Sequence, residues 1–472
     1  MTSAIIPNRL EAGILLHPTS LPSGQLAADA WRWLDQLSEL GISVWQMLPL
    51  GLPLSGLSPY QCVSAFALNP ALFPAPASSN TLSELSQTPE FAQWYQQNED
   101  WAENFALFMA LKEQFEGMEW SQWPTEYRKR DPEQLQAFKA ANAAALATRI
   151  HEQFYCWQHW QGLGRYAKER GIRLFGDMPI FVAYDSADVW AHPELFLLDE
   201  EGQPTVVTGV PPDYFSADGQ RWGNPHYNWD FMRSTDFKWW RERLRYHFDF
   251  FDLVRIDHFR GLEAAWTIPA DCPTAIEGQW VKVPGDELLA CFQAAAGDLP
   301  LVAEDLGVIT EEVTALRKKY HLPGMSVLQF AFDHFPDNPH KPWNVVENTV
   351  YYTGTHDNDT LLGWFNSLSP EQQAWSLDLL KQHIFLSIEL NTSNITELML
   401  ATVFQSAAGL VMIPWQDILE LGSESRMNIP GTIEGNWNWR FDWHQVQAEQ
   451  IIRLKSQLQN YRRYHSTTVT NQ

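Results

Sequence analysis

The chain has 472 residues, long for one ordinary domain but within reach of a single (β/α) barrel that carries insertions. Its 32 Lys and Arg face 57 Asp and Glu, a formal net charge of −25, which argues against nucleic acid or an anionic lipid surface as a partner. Cys62, Cys156, Cys272 and Cys291 form no C-x-x-C pair, the amino terminus lacks a basic then apolar leader, and no apolar run is long enough to cross a bilayer; a cytoplasmic setting with no membrane partner is expected.

In chain order, "GILLHPTS" reads as a strand, residues 27 to 40 as an amphipathic helix and "SVWQMLPL" as a second strand, a β-α-β opening. Residues 81 to 170 are helical almost throughout. Thr81-x-x-Glu84 reads as a capping box, and Thr88-Pro89 and Asp131-Pro132 place a cap before a first-turn proline. Six further apolar runs follow: "IRLFGDMPIFVA", "FDLVRIDHF", "LPLVAEDLG", "GMSVLQFAFD", "TVYYTGTHDND" and "GLVMIPWQDIL". Eight strands alternating with helices predict an α/β fold, a (β/α)8 TIM barrel. The expected division is residues 1–75 for the first two strands, 76–170 for a helical insertion, and 171–472 for the rest of the barrel, with long loops after the third and fourth strands.

Three of these runs end on acids: "LVRID" on Asp257, "LVAED" on Glu304 and Asp305, and "YYTGTHD" on Asp357. They lie 47 and 53 residues apart, yet the carboxyl ends of parallel barrel strands share one rim, so the acids can meet there without a local motif. Paired carboxyl groups suit glycoside chemistry, in which one attacks the anomeric carbon and the other protonates the leaving oxygen. Each acid alone also reads as a helix cap or an ion-pair partner. Arg255 points to the same side of its strand as Asp257, consistent with either reading. His258 and His356, each beside one acid, read alone as hydrogen-bonded core histidines, and no spacing supports a metal site. "GLGRYA" imitates a dinucleotide fingerprint but follows a helical stretch. The 23 Trp residues can fill the core or stack on sugar rings.

The segments "LHPTSLPS", "WQMLPLG", "SPYQ", "GDMPIFVAYDSADVW", "GVPPDYFSADGQRWGNPHYNWD", "VRIDHFRG", "AEDLG", "YTGTHDNDT" and "SESRMNIPGT" together resemble the 4-α-glucanotransferases called amylomaltases or disproportionating enzymes, of the α-amylase-like barrel group. The resemblance implies that Asp257 is the nucleophile, Glu304 the acid/base and Asp357 the acid that stabilises the transition state. It implies sugar contacts at Tyr60, Asp177, Trp222, Arg255, His258, Asp333, His356 and Asn428. It further implies maltooligosaccharide or α-glucan substrates, a retaining mechanism, and no cofactor or calcium. An amylase-like hydrolase could use the same three acids, and a non-catalytic glucan-binding protein would keep only the aromatics. Tyr214, Phe215 and Trp222 in one loop, Tyr60 in another and "MNIPG" near Asn428 are the expected walls of the acceptor groove. The chain departs from the family pattern after Ser23-Gly24, where a longer segment is usual, and in "LPLSGLSPY"; both bear on outer subsites.

Overall fold

The computed structural model describes residues 9–54, 56–78, 80–212, 216–383, 394–432 and 434–466. Twelve strands follow one another among these residues: β1 (Glu11–Leu15), β2 (Val44–Gln46), β3 (Arg173–Pro179), β4 (Val206–Val210), β5 (Gln220–Pro225), β6 (Leu253–Asp257), β7 (Ala264–Pro269), β8 (Gln279–Lys282), β9 (Leu301–Ala303), β10 (Gly324–Val327), β11 (Thr349–Tyr352) and β12 (Leu410–Pro414). Eight of them form one parallel sheet in the order β10-β11-β12-β1-β2-β3-β6-β9. The Ala303 amide donates to the Pro323 carbonyl at 2.9 Å and the Met325 amide to Asp305 Oδ1 at 2.7 Å, drawing the two edge strands β9 and β10 together. The result is the (β/α)8 barrel expected from the alternation, built from the eight strands read in the sequence.

Strand parity separates two cores. Val44, Phe175, Leu253, Val302, Val350, Tyr352, Leu410 and Met412 meet in one cluster inside the barrel. Their neighbours Trp45, Leu174, Val254, Leu301, Tyr351 and Val411 belong to a larger cluster under the helices. The eight barrel strands are thus buried on both faces, which is why these runs look uniformly apolar instead of alternating. Gly13 on β1 is required by this closeness, because a Cβ there would lie 2.8 Å from the Val44 Cβ. Trp33, Trp45, Trp160, Trp190, Trp240 and Trp415 are fully buried, so the core accounts for much of the tryptophan.

Helices Thr81–Leu85, Pro89–Gln114, Thr125–Arg128, Pro132–Ala141 and Ala143–Glu169 lie between β2 and β3. Thr88 and Asp131 cap their helices as expected, the first accepting from the Phe91 amide and the second from those of Glu133 and Gln134. Thr81 does not: the helix begins after Asn80 with no side-chain cap, and the Thr81 hydroxyl instead accepts from the Ser78 amide. Gly162 and Gly164 are helical, outside any dinucleotide loop. The segments expected as long loops after the third and fourth barrel strands hold a four-stranded antiparallel sheet, β5-β4-β7-β8. Gly or Pro stands within β4, β5 and β7, which read as loop on their own; pairing across two distant segments makes them strands.

Candidate active site

Parity along β6 answers why an apolar strand ends in charge: Leu253, Arg255 and Asp257 face inward while Val254 and Ile256 face the helices. Above the hydrophobic plug, polar side chains replace apolar ones. Arg255, 5% exposed, donates from Nη1 to both oxygens of Asp177 on β3, at 2.9 and 2.8 Å, and its Nη2 forms an ion pair with Asp257 Oδ1 at 2.9 Å. Burial alone would lower the guanidinium's pKa, but the carboxylates of Asp177 and Asp257 outweigh it and raise it further. Burial pushes Asp177 upward, against Arg255, and the Tyr60 hydroxyl donates to its Oδ2 at 2.7 Å.

Glu304 follows β9 and is held by two amides, that of His258 on Oε2 at 2.7 Å and that of Leu306 on Oε1 at 3.0 Å. His258 reaches it because its backbone turns left-handed, with φ 55°, immediately after Asp257. The two acids therefore occupy one corner of the rim. Burial, with Asp257 adding to it and Arg255 and the two amides opposing, pushes Glu304 up to about 7. Burial also pushes the His258 ring down to about 4, so it stands neutral, with Trp222 edge-on to it at 4.9 Å.

Asp357 lies five residues beyond β11. Its Oδ1 accepts from Asn428 Nδ2 at 2.6 Å, and His356 Nε2 stands 3.4 Å from Oδ2. The His356 ring stacks on Tyr60 at 5.1 Å, which links this acid to the Asp177–Arg255–Asp257 group. The structure thus gathers Asp257, Glu304, Asp357, Tyr60, Asp177, Arg255, His258, His356, Asn428 and Trp222 into one connected rim. It does not connect Asp333 to them: that carboxylate is bound inside its own loop by Lys341 at 3.3 Å, Asn338 at 2.9 Å and the Phe335 amide at 3.1 Å. Tyr214 and Phe215 lie outside the described residues.

Two participants were not singled out from sequence. Arg426 donates from Nη2 to the Asp357 carbonyl at 2.6 Å and from Nε to the Asn428 carbonyl at 2.7 Å, fixing both residues of that pair. Trp437 lies 6.1 Å from the Tyr60 ring and 5.9 Å from that of His356, backing their stack. Both flank "MNIPG", so proximity to that segment was the available signal. Among the described residues, no group of three or more His, Cys, Asp and Glu is placed to hold a metal ion.

A (β/α)8 barrel whose strand ends gather three acids, a buried arginine and aromatic rings on one rim has the makings of an enzyme that acts on sugars. The model of the 4-alpha-glucanotransferase family matches residues 15–86 and 71–445, and the chain belongs to that family. It is 45% identical to a 4-alpha-glucanotransferase of Thermus thermophilus, over 94% of this chain and 97% of the relative. Identity is 43% to one from Synechocystis, over 91% and 93%, and 37% to a chloroplastic/amyloplastic one from Arabidopsis thaliana, over 92% and 82%. Among solved structures, the amylomaltase of Streptococcus agalactiae in complex with acarbose superposes with a TM-score of 0.89 at 34% identity, covering 97% of this chain and all of that one. The chain is accordingly an enzyme, a glycosyltransferase of the 4-α-glucanotransferase class. No helix among the described residues is long and apolar enough to cross a membrane.

Proposed function

We propose that the enzyme transfers α-1,4-glucan segments between maltooligosaccharides by double displacement. Asp257 attacks the anomeric carbon while Glu304 gives its proton to the departing glycosidic oxygen, leaving a glycosyl ester on Asp257. A hydroxyl of the acceptor sugar then attacks the same carbon, Glu304 takes up its proton, and the ester breaks with the α configuration restored. Asp357, held by Asn428, faces the positive charge that develops on the sugar ring. Arg255 supports Asp257 as a carboxylate, and Tyr60, Asp177, His258, His356, Trp222 and Asp333 are the proposed sugar contacts.

The observation that carries this reading is the hydrogen bond from the His258 amide to Glu304, which seats the proton donor one residue from the nucleophile. Such closeness suits a retaining pair, whose carboxyl groups stand roughly 5–5.5 Å apart, too near for the water an inverting enzyme activates. The elevated Glu304 supports it too, since a donor must carry its proton near neutrality. In the same reading residues 76–170 are an insertion between the second and third barrel strands, and the protein works in the cytoplasm.

Maltotriose supplied as sole substrate tests the proposal. Transfer yields longer oligomers and glucose with little gain in reducing ends; steadily rising reducing ends with no product longer than the substrate would make the enzyme a hydrolase. Asp257→Asn should melt like the wild type yet lose nearly all transfer, because an amide cannot form the ester.

A further inference from the structure

Arg260 closes the charged group "RIDHFR", yet nothing in the chemistry above uses it. It sits in the short 3-10 turn Phe259–Leu262, 8% exposed, three residues after Asp257. Its Nη1 donates to the carbonyl of Val308 at 2.7 Å. Its guanidinium lies 3.9 Å from the centre of the Trp280 ring on β8, a face that fixes the plane of the group. The Nε of Arg260 is buried without a hydrogen-bond partner, so the Val308 carbonyl is the polar anchor of a buried charge.

The same turn grips the chain after β9 at several points. The His258 amide binds the Glu304 carboxyl, the Phe259 amide donates to the Glu304 carbonyl at 3.1 Å, and Arg260 holds Val308, four residues on. Leu306, whose amide donates to Glu304 Oε1, lies between the two gripped ends. We propose that Arg260 is a positioning residue: by pinning Val308 it keeps the Leu306 amide on the Glu304 carboxyl. It acts through the backbone and does not touch the sugar. This rests on the reading of Glu304 as the proton donor.

The consequence is a change in both rate and pH dependence. Arg255 and Asp257 on β6 are the charged groups that face Glu304, and both remain when Arg260 is replaced. The amide of Leu306 favours the ionised carboxyl; once it drifts away, burial is opposed less and the proton is held to higher pH. Around Arg260 itself the charges are Glu263 on its own segment, paired with Lys282 of β8, and Glu312 on the helix Glu311–Lys319.

The test compares the wild type with Arg260→Met, Arg260→Lys and Trp280→Leu, measuring kcat and KM for maltotriose across pH together with thermal melting. Arg260→Met is expected to lower kcat by about ten-fold or more, with KM changed less than about two-fold. Its alkaline limb should rise by about half a pH unit or more. Arg260→Lys, which can still donate to the Val308 carbonyl, should recover part of both effects, and Trp280→Leu should move the limb the same way by less. An unshifted limb in all three variants overturns the proposal, whether or not kcat falls, because a general packing defect would lower activity without it. Should Arg260→Met not fold, the limbs of the other two variants decide. Glu304→Gln is the control: if it transfers normally from maltotriose, the reading of Glu304 fails independently of what Arg260 does.

Discussion

Arg255 joins two acids of the site, since one guanidinium binds both Asp177 and Asp257 from inside the barrel. Arg255→Met would leave the Asp177 carboxylate buried without its partner, and a loss of about 3–5 kcal/mol in unfolding free energy is expected in urea titrations. Arg255→Lys keeps the charge but not the planar fork, so it should retain most of the stability while losing the simultaneous grip on two carboxylates. Glu304, pushed up to about 7, sets a second expectation. A group that must be protonated to act is lost as pH rises through its pKa, so kcat/KM should fall above about pH 7; a plateau extending past pH 9 would contradict it. At this scale the sequence was informative where parity applied: alternation along "LVRID" puts Arg255 and Asp257 on one side, as found. For Arg426 and Trp437 it offered only their closeness to "MNIPG", because they stand in an aperiodic stretch whose neighbours are set by the folded chain.

The eight barrel strands were legible as elements because burial on both faces makes each an unbroken apolar run, and because polar residues cluster only where the run reaches the rim. The small sheet was not, since Gly or Pro stands within β4, β5 and β7, β8 is exposed along its length, and the pairing joins segments far apart in sequence. A different anchor lies beyond the helix Ala448–Asn460, where buried Arg463 donates to four carbonyls, those of Phe404, Glu11, Ala408 and Ser406, at 2.8 to 3.0 Å. Those carbonyls belong to the start of β1 and to the segment leading into β12. The bond set thus fastens the last helix to the end of the barrel opposite the acids. Arg463→Met strands four buried acceptors and should cost about 3 kcal/mol or more in stability, while kcat measured below the melting transition stays near wild type. A large fall in kcat with unchanged stability would mean that this end of the barrel reaches the site.

Across the whole molecule, anchorage and chemistry occupy opposite ends of one barrel, and five histidines are held neutral by burial. Burial pushes His17 and His247 down to about 3, and His226, His258 and His340 down to about 4. His226 illustrates what this means for acid stability. It is wedged between the barrel and the small sheet, with its Nε2 donating to the Val207 carbonyl at 3.1 Å and its ring beside Phe181. In the unfolded chain it takes up a proton near its ordinary value of 6.5, whereas the folded protein resists protonation until about 4. Between those values the unfolded state binds more protons, so stability rises with pH; the contribution is complete above 6.5 and is lost as pH falls toward 4. At roughly 1.4 kcal/mol per pH unit, this one ring accounts for about 3 kcal/mol. His226→Asn removes the titration while keeping a donor, though it opens space beside Phe181 and lowers stability at every pH. The informative quantity is therefore the slope: unfolding free energy in urea at pH 6.5 and pH 4.5 should fall by less in the variant than in the wild type. Parallel losses in the two proteins would show that His226 is protonated with equal ease folded and unfolded, and that the acid sensitivity of this barrel arises elsewhere.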